Sequence, residues 1–186
     1  MNFNEPQTYA PGQWERLNAN LDALRANGAR ITFSKNFSPR FSRYDYLLEG
    51  LERHQVRSVR YDVSRPAANK ANDHFTLDDT RGVMASIVGF VKQCEAMGVR
   101  TGLDCSVRFC DMRDEDRQYL ERVSAKFTGI CHPSVDIHPD LSASYCLPLN
   151  GVRIPDILQF RNHDSYSPIL DLLRLMCAKL YRQKSY

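Results

Sequence analysis

Apolar residues along the first 126 positions follow two alternating periods. At helical spacing, Trp14, Leu17, Leu21 and Leu24 share one face of a segment opened by Pro11-Gly12 and stopped by Gly28. A second, shorter helix is expected from Tyr44 to His54, carrying Leu47, Leu48 and Leu51. The strongest helical pattern begins at Thr76, with Asp79 three residues on as a capping pair. It runs through Met84, Ile87, Val88 and Val91 to Gly98. A fourth helix, Asp114 to Lys126, carries Tyr119, Leu120 and Val123. Between these lie segments of period two, ITFSKN, VRSVRYDVS and VRTGLDC, while NFNEP at the start reads as the tail of a strand.

Strands alternating with helices predict a parallel sheet built from right-handed βαβ units. About four strands are too few for a closed eight-stranded barrel of roughly 250 residues, so the sheet is open or part of a barrel. The pleat separates Ile31 and Phe33 from Thr32, Ser34 and Asn36, and Val59, Tyr61 and Val63 from Ser58, Arg60 and Asp62. Val99 and Leu103 oppose Arg100, Gly102 and Asp104 in the same way. A central strand covered on both faces would read as a nearly continuous apolar run. One apolar and one polar face per strand instead fits a sheet packed on helices on one side, with a wet cavity on the other. Asn36, Arg60, Asp62 and Asp104 then stand near the carboxyl strand ends, where α/β folds bind ligands. An ordinary exposed sheet face is the plainer reading of the same pattern.

After residue 127 the rhythm breaks into short strands and prolines, with a hairpin turn at His138-Pro139-Asp140. The tail, Ser167 to Gln183, reads as a terminal helix with Pro168 in its first turn. The expected organisation is therefore an α/β part over residues 1–126 and a small cysteine-containing hairpin region with a C-terminal helix over 127–186.

The 186 residues are 42% hydrophobic and 25% charged, the balance of a soluble domain. No apolar run reaches the ~20 residues of a membrane span, and the start lacks the layout of an export signal. A net charge of +3 with interspersed signs gives no nucleic-acid footprint. A cytoplasmic protein without membrane or nucleic-acid partners is expected. Six cysteines then stand out, because disulfides are rare in reducing compartments. Cys94 and Cys177 lie in apolar helical stretches and read as small buried hydrophobes. Cys105, Cys110, Cys131 and Cys146 lie in loop or strand-edge sequence, one pair after the VRTGL strand and the other bracketing the hairpin. Thiolates suit zinc or iron–sulfur clusters. Without a Cys-x2-Cys pair, spacing alone leaves a metal site and metal-free redox or relic thiols equally open. His132, Asp136 and His138 are nearby and could replace a ligand, although they read first as turn and hairpin residues.

The run LDCSVRFCDM followed by ICHPSVDIHPDLSASYCLPL resembles the second half of a radical S-adenosylmethionine enzyme with an auxiliary-cluster region of the twitch or SPASM kind. The matching residues are Asp104-Cys105 with Cys110, then Cys131, Asp136-Ile137, Pro139-Asp140-Leu141, Cys146 and Leu147-Pro148-Leu149. The resemblance spans about residues 1–150. It implies half of a βα barrel whose Asn36, Arg60 and Asp62 face cofactor or substrate. It also implies an auxiliary [4Fe–4S] cluster on Cys105, Cys110, Cys131 and Cys146.

The family's radical chemistry uses a Cys-x3-Cys-x2-Cys loop, and no such motif occurs in this sequence. The chain is thus expected not to generate the adenosyl radical alone. S-adenosylmethionine would enter only if an N-terminal half-barrel chain supplied the missing part. Exposed sheet edges would call for that partner or for self-association. The alternative is a non-catalytic scaffold or interaction module in which the four cysteines hold structural zinc or an iron–sulfur cluster.

Overall fold

The computed structural model describes residues 1–66, 71–76, 78–105, 107, 112–129, 136–144 and 153–159. The chain forms two compact units: residues 1–65 with 73–131, and residues 66–72 with 132–186.

The first unit alternates α1 (Gln13–Ala26), β1 (Phe33–Phe37), α2 (Asp45–Arg53), β2 (Ser58–Val63), α3 (Thr80–Ala96), β3 (Arg100–Leu103), α4 (Asp114–Val123) and β4 (Ser124–Ala125). The four strands form one parallel sheet in chain order, β1-β2-β3-β4. Outside β1, Asn2 bridges Ser34 in parallel, and the Ser34 amide donates to the Met1 carbonyl at 2.8 Å. NFNEP therefore does enter as the end of an extended segment.

Burial follows the pleat. Phe33, Phe37, Val59, Tyr61, Val63 and Leu103 are buried, and they join one core with Leu21, Leu47, Leu51, Ile87, Phe90, Val91 and Leu120 of the helices. On the other face Asn36, Arg60 and Arg100 are exposed, and Ser34, Ser58, Asp62 and Gly102 are half-buried. A parallel strand order without reversal lays successive helices against the same face when its crossovers share the right hand usual for βαβ units. That explains why one face is dry and the other polar.

Aromatic side chains fill the dry side. Phe3 stacks on Phe33 with centroids 4.3 Å apart, and Phe90 of α3 meets Phe37 and Tyr61 edge-on at 5.6 and 6.2 Å. Each large apolar side chain so buried contributes about 1.5–3 kcal/mol. Polar groups also enter this interior, His54 and Lys35 among them. His54, fully buried just past α2, has Nδ1 at 2.8 Å from Asp22 Oδ1 and Nε2 at 2.8 Å from Asn18 Oδ1. The Asn18 amide nitrogen donates to the Trp14 carbonyl, which turns its oxygen toward the ring. Lys35 lies on the same pleat as Phe33 and Phe37 and is only 3% exposed.

Three expectations shift. Leu24 is 50% exposed, so the packing face of α1 consists of Trp14, Leu17 and Leu21. Thr76 does pair with Asp79, its amide and hydroxyl donating to Asp79 Oδ2 at 3.0 and 2.6 Å, but this closes a turn and α3 starts at Thr80. The fourth helix ends at Val123, where the chain turns into β4 because Ser124 is drawn under the sheet by a 2.8 Å hydrogen bond with the Tyr61 hydroxyl.

The second unit holds a small antiparallel sheet, β5 (Asp136–Ile137), β6 (Ala143–Ser144) and β7 (Arg153–Ile154), in the order β5-β6-β7. Its hairpin turns at His138-Pro139-Asp140: the His138 amide donates to the Ser142 carbonyl at 2.8 Å, and Asp140 Oδ1 accepts from the Ser142 amide and hydroxyl. Leu141 takes a positive φ of 63° to close it. The expected terminal helix at 167–183 lies outside the described residues. No helix among the described residues is long and apolar enough to cross a membrane.

Candidate functional site

The carboxyl ends of β1, β2 and β3 bring a group of polar side chains together on the open face. Register sets Asn36 beside Asp62. The Asp104 amide donates to the Tyr61 carbonyl at 2.9 Å, which holds the first residue after β3 against β2. From there Asp104 Oδ1 reaches Arg60 Nη1 at 3.2 Å. Asp62 Oδ1 accepts the Val63 amide at 2.8 Å and lies 3.7 Å from Arg65 Nη2. Cys105 lies close enough to Asp62 and Arg65 for both charges to act on its thiol.

Loops behind this group are clamped by Asp73. Its Oδ2 accepts from the Ser38 hydroxyl at 2.7 Å and from the Arg40 amide at 3.0 Å, and its carbonyl accepts from the Ser64 hydroxyl. The segment after β2 is thereby tied to the one after β1. The Ser38 hydroxyl, then the Arg40 amide, hold the Asp73 carboxyl below the ordinary range.

Electrostatics divide the group. Burial lifts the Asp62 carboxyl above its usual range, against the pull of Arg65, the Val63 amide and the thiol. Burial also raises Cys105, with the Asp62 charge adding to it and Arg65 opposing it. Burial and the Asp62 charge thus disfavour the thiolate, and the Arg65 guanidinium favours it. Cys105 is half-buried and takes part in no disulfide. A soft sulfur donor at a strand end, reachable from the open face and flanked by a guanidinium, suits a metal-bound thiolate.

Of the sequence candidates, Asn36, Arg60, Asp62, Asp104 and Cys105 do come together. Cys110, Cys131 and Cys146 lie outside the described residues, as does Cys177. Among the described residues no group of three or more His, Cys, Asp or Glu side chains could hold a metal ion. Cys94 is fully buried in α3, and burial pushes its thiol up to about 12, as befits a packing residue. Sequence reasoning passed over Arg65 and Asp73. Their signal was position, since both fall in the segment directly after β2, where α/β folds carry ligand contacts.

No family model, no curated protein and no solved structure matches this chain.

Proposed function

We propose that this chain is the C-terminal portion of a radical S-adenosylmethionine-type iron–sulfur protein, a half βα barrel carrying an auxiliary cluster. The observation that supports it best is the meeting of Asp104-Cys105 with Arg60, Asp62 and Arg65 at the carboxyl ends of a parallel sheet in unbroken chain order. Barrels of alternating strands and helices carry their chemistry at that end.

In this reading Cys105, Cys110, Cys131 and Cys146 hold a [4Fe–4S] cluster. With all four irons ligated, the cluster would supply electron transfer or a structural staple. The protein groups around it have separate tasks. Arg65 lies beside Cys105 and offsets the negative charge of a thiolate. Arg60 is held by Asp104 with its side chain 57% exposed, free to meet an anionic or carbonyl group of a substrate. Asn36 offers an amide beside Asp62 on the same face.

The test is anaerobic purification of the full chain, followed by metal and sulfide analysis. About four irons and four sulfides per chain, lost on Cys131→Ala or Cys146→Ala, are expected. A colourless protein containing zinc and no sulfide would replace the cluster by a structural zinc site. A metal-free protein whose stability is indifferent to all four Cys→Ala changes would remove both.

A further inference from the structure

The opposite end of the same sheet carries a second charged feature. A cleft of about 400 Å³ opens where the chain enters β1, β2 and β3. Arg25, Arg30, Arg57 and Arg100 line it together with Thr32 and Ser58, and among the described residues no Asp or Glu lies in its wall. The chain as a whole carries a net charge of only +3, with 22 acidic residues against 25 basic ones, so four guanidinium groups without an acid among them are a marked local excess.

Helix ends account for part of this. Arg25 lies in the last turn of α1, and Arg57 Nη1 donates to the Met97 carbonyl, which caps α3, at 3.1 Å. Cations at helix C-termini offset the helix dipole. Arg30 and Arg100 have no such task. Each lies outside the helices, is exposed, and makes no ion pair among the described residues. Ser58 stands beside Arg100 in the β2–β3 register, and its hydroxyl lies 2.7 Å from that of Thr32. Two hydroxyls, one just before β1 and one at the start of β2, thus lie side by side in a cleft that four arginines line.

We propose that this cleft binds a phosphorylated small molecule through its phosphate groups. Guanidinium forks match phosphate oxygens in pairs, and hydroxyls donate the remaining hydrogen bonds. The volume suits a small organic phosphate, within the usual size of ligand sites. The site rests on β-strand starts and preceding loops, away from the strand-end group with Cys105, and does not depend on any metal there.

The test is calorimetric titration of the full chain with inorganic pyrophosphate at constant ionic strength. Binding tighter than about 1 mM is expected. The Arg30→Ala/Arg100→Ala variant should weaken it at least about tenfold. Arg113→Ala, which removes an exposed arginine at the start of α4, should leave it unchanged. Absence of binding in the wild type, or equal weakening by the Arg113→Ala variant, overturns the proposal. Circular dichroism of the double variant guards against unfolding: if it is unfolded, Arg30→Gln and Arg100→Gln singly must each weaken binding, and an unaffected affinity in either overturns the site.

Discussion

Lys35 illustrates at single-residue scale what an alternating pattern conceals. It occupies an apolar position of β1, where its Nζ donates to the Phe41 carbonyl at 2.7 Å and the Tyr46 hydroxyl at 3.1 Å. The ammonium also lies 5.4 and 5.3 Å from the ring centroids of Phe37 and Tyr46. Burial pushes the amine down to about 8 from its ordinary 10.5, with Glu5 opposing. Between those values the unfolded chain holds a proton that the folded chain has released. Acid therefore favours unfolding across that window, and the contribution of Lys35 to stability rises with pH from about 8 to 10.5. Its full size is of order 3 kcal/mol. Urea unfolding of wild type and Lys35→Met at pH 7.5 and pH 10 isolates it from the tyrosines and Cys94, which titrate in both proteins. The wild type should gain roughly 1–3 kcal/mol on the variant over that interval. An unchanged difference would mean that Lys35 keeps its ordinary proton affinity in the fold.

At the scale of elements, close approach decides which positions tolerate a side chain. A Cβ on Gly50, in α2, would sit 2.5 Å from Phe3 Cε1 and 2.7 Å from its Cζ. The Phe3 ring cannot swing away readily, because it is buried and stacked on Phe33 while Trp14 lies 5.0 Å off. Gly50→Ala gains up to about 1 kcal/mol in helix propensity but forces overpacking of about 1–3 kcal/mol. A net loss of roughly 1–2 kcal/mol is expected in chemical denaturation. In the Phe3→Leu background the ring is gone and the same alanine should cost less, so a double-mutant cycle with no coupling would refute the contact. The helices were legible because their apolar positions recur at 3.6 over nine residues or more, and β1 to β3 because theirs alternate over four to six, while Gly12 and Gly28 do bracket α1 at φ of 74° and 76°. Two-residue β4 was not, since Ser124 and Ala125 continue a helical spacing and only the distant Tyr61 hydroxyl draws them into the sheet. The strand-end group was legible for a related reason: Asn36, Arg60, Asp62 and Asp104 follow from the pleat. Arg65 and Asp73 depend on how a loop folds back, which periodicity does not encode.

At the scale of the whole molecule, the open sheet face poses the question of what it meets. Among the described residues of β1 to β3, none on that face is buried, although a closed βα barrel would enclose it. The sheet has four strands in unbroken parallel order, bounded by β1, which carries only the Asn2–Ser34 bridge on its outer side, and by the two-residue β4 (Ser124–Ala125). A short edge strand limits indiscriminate pairing, yet it leaves backbone groups for a specific partner. Two such sheets supply the eight strands of a closed barrel, and a two-fold symmetric pairing would join the edge of each copy to the opposite edge of the other. If the half-barrel reading holds without another chain, sedimentation equilibrium over about 1–100 μM should return a mass rising toward twice that of the chain. Hydrogen exchange at the β4 edge should slow with the same midpoint, because pairing is what protects those amides. A constant monomeric mass with unprotected β4 amides would remove self-closure. Any further strands would then have to come from a different chain, or the sheet would work as an open platform with Arg60 and Asn36 facing water.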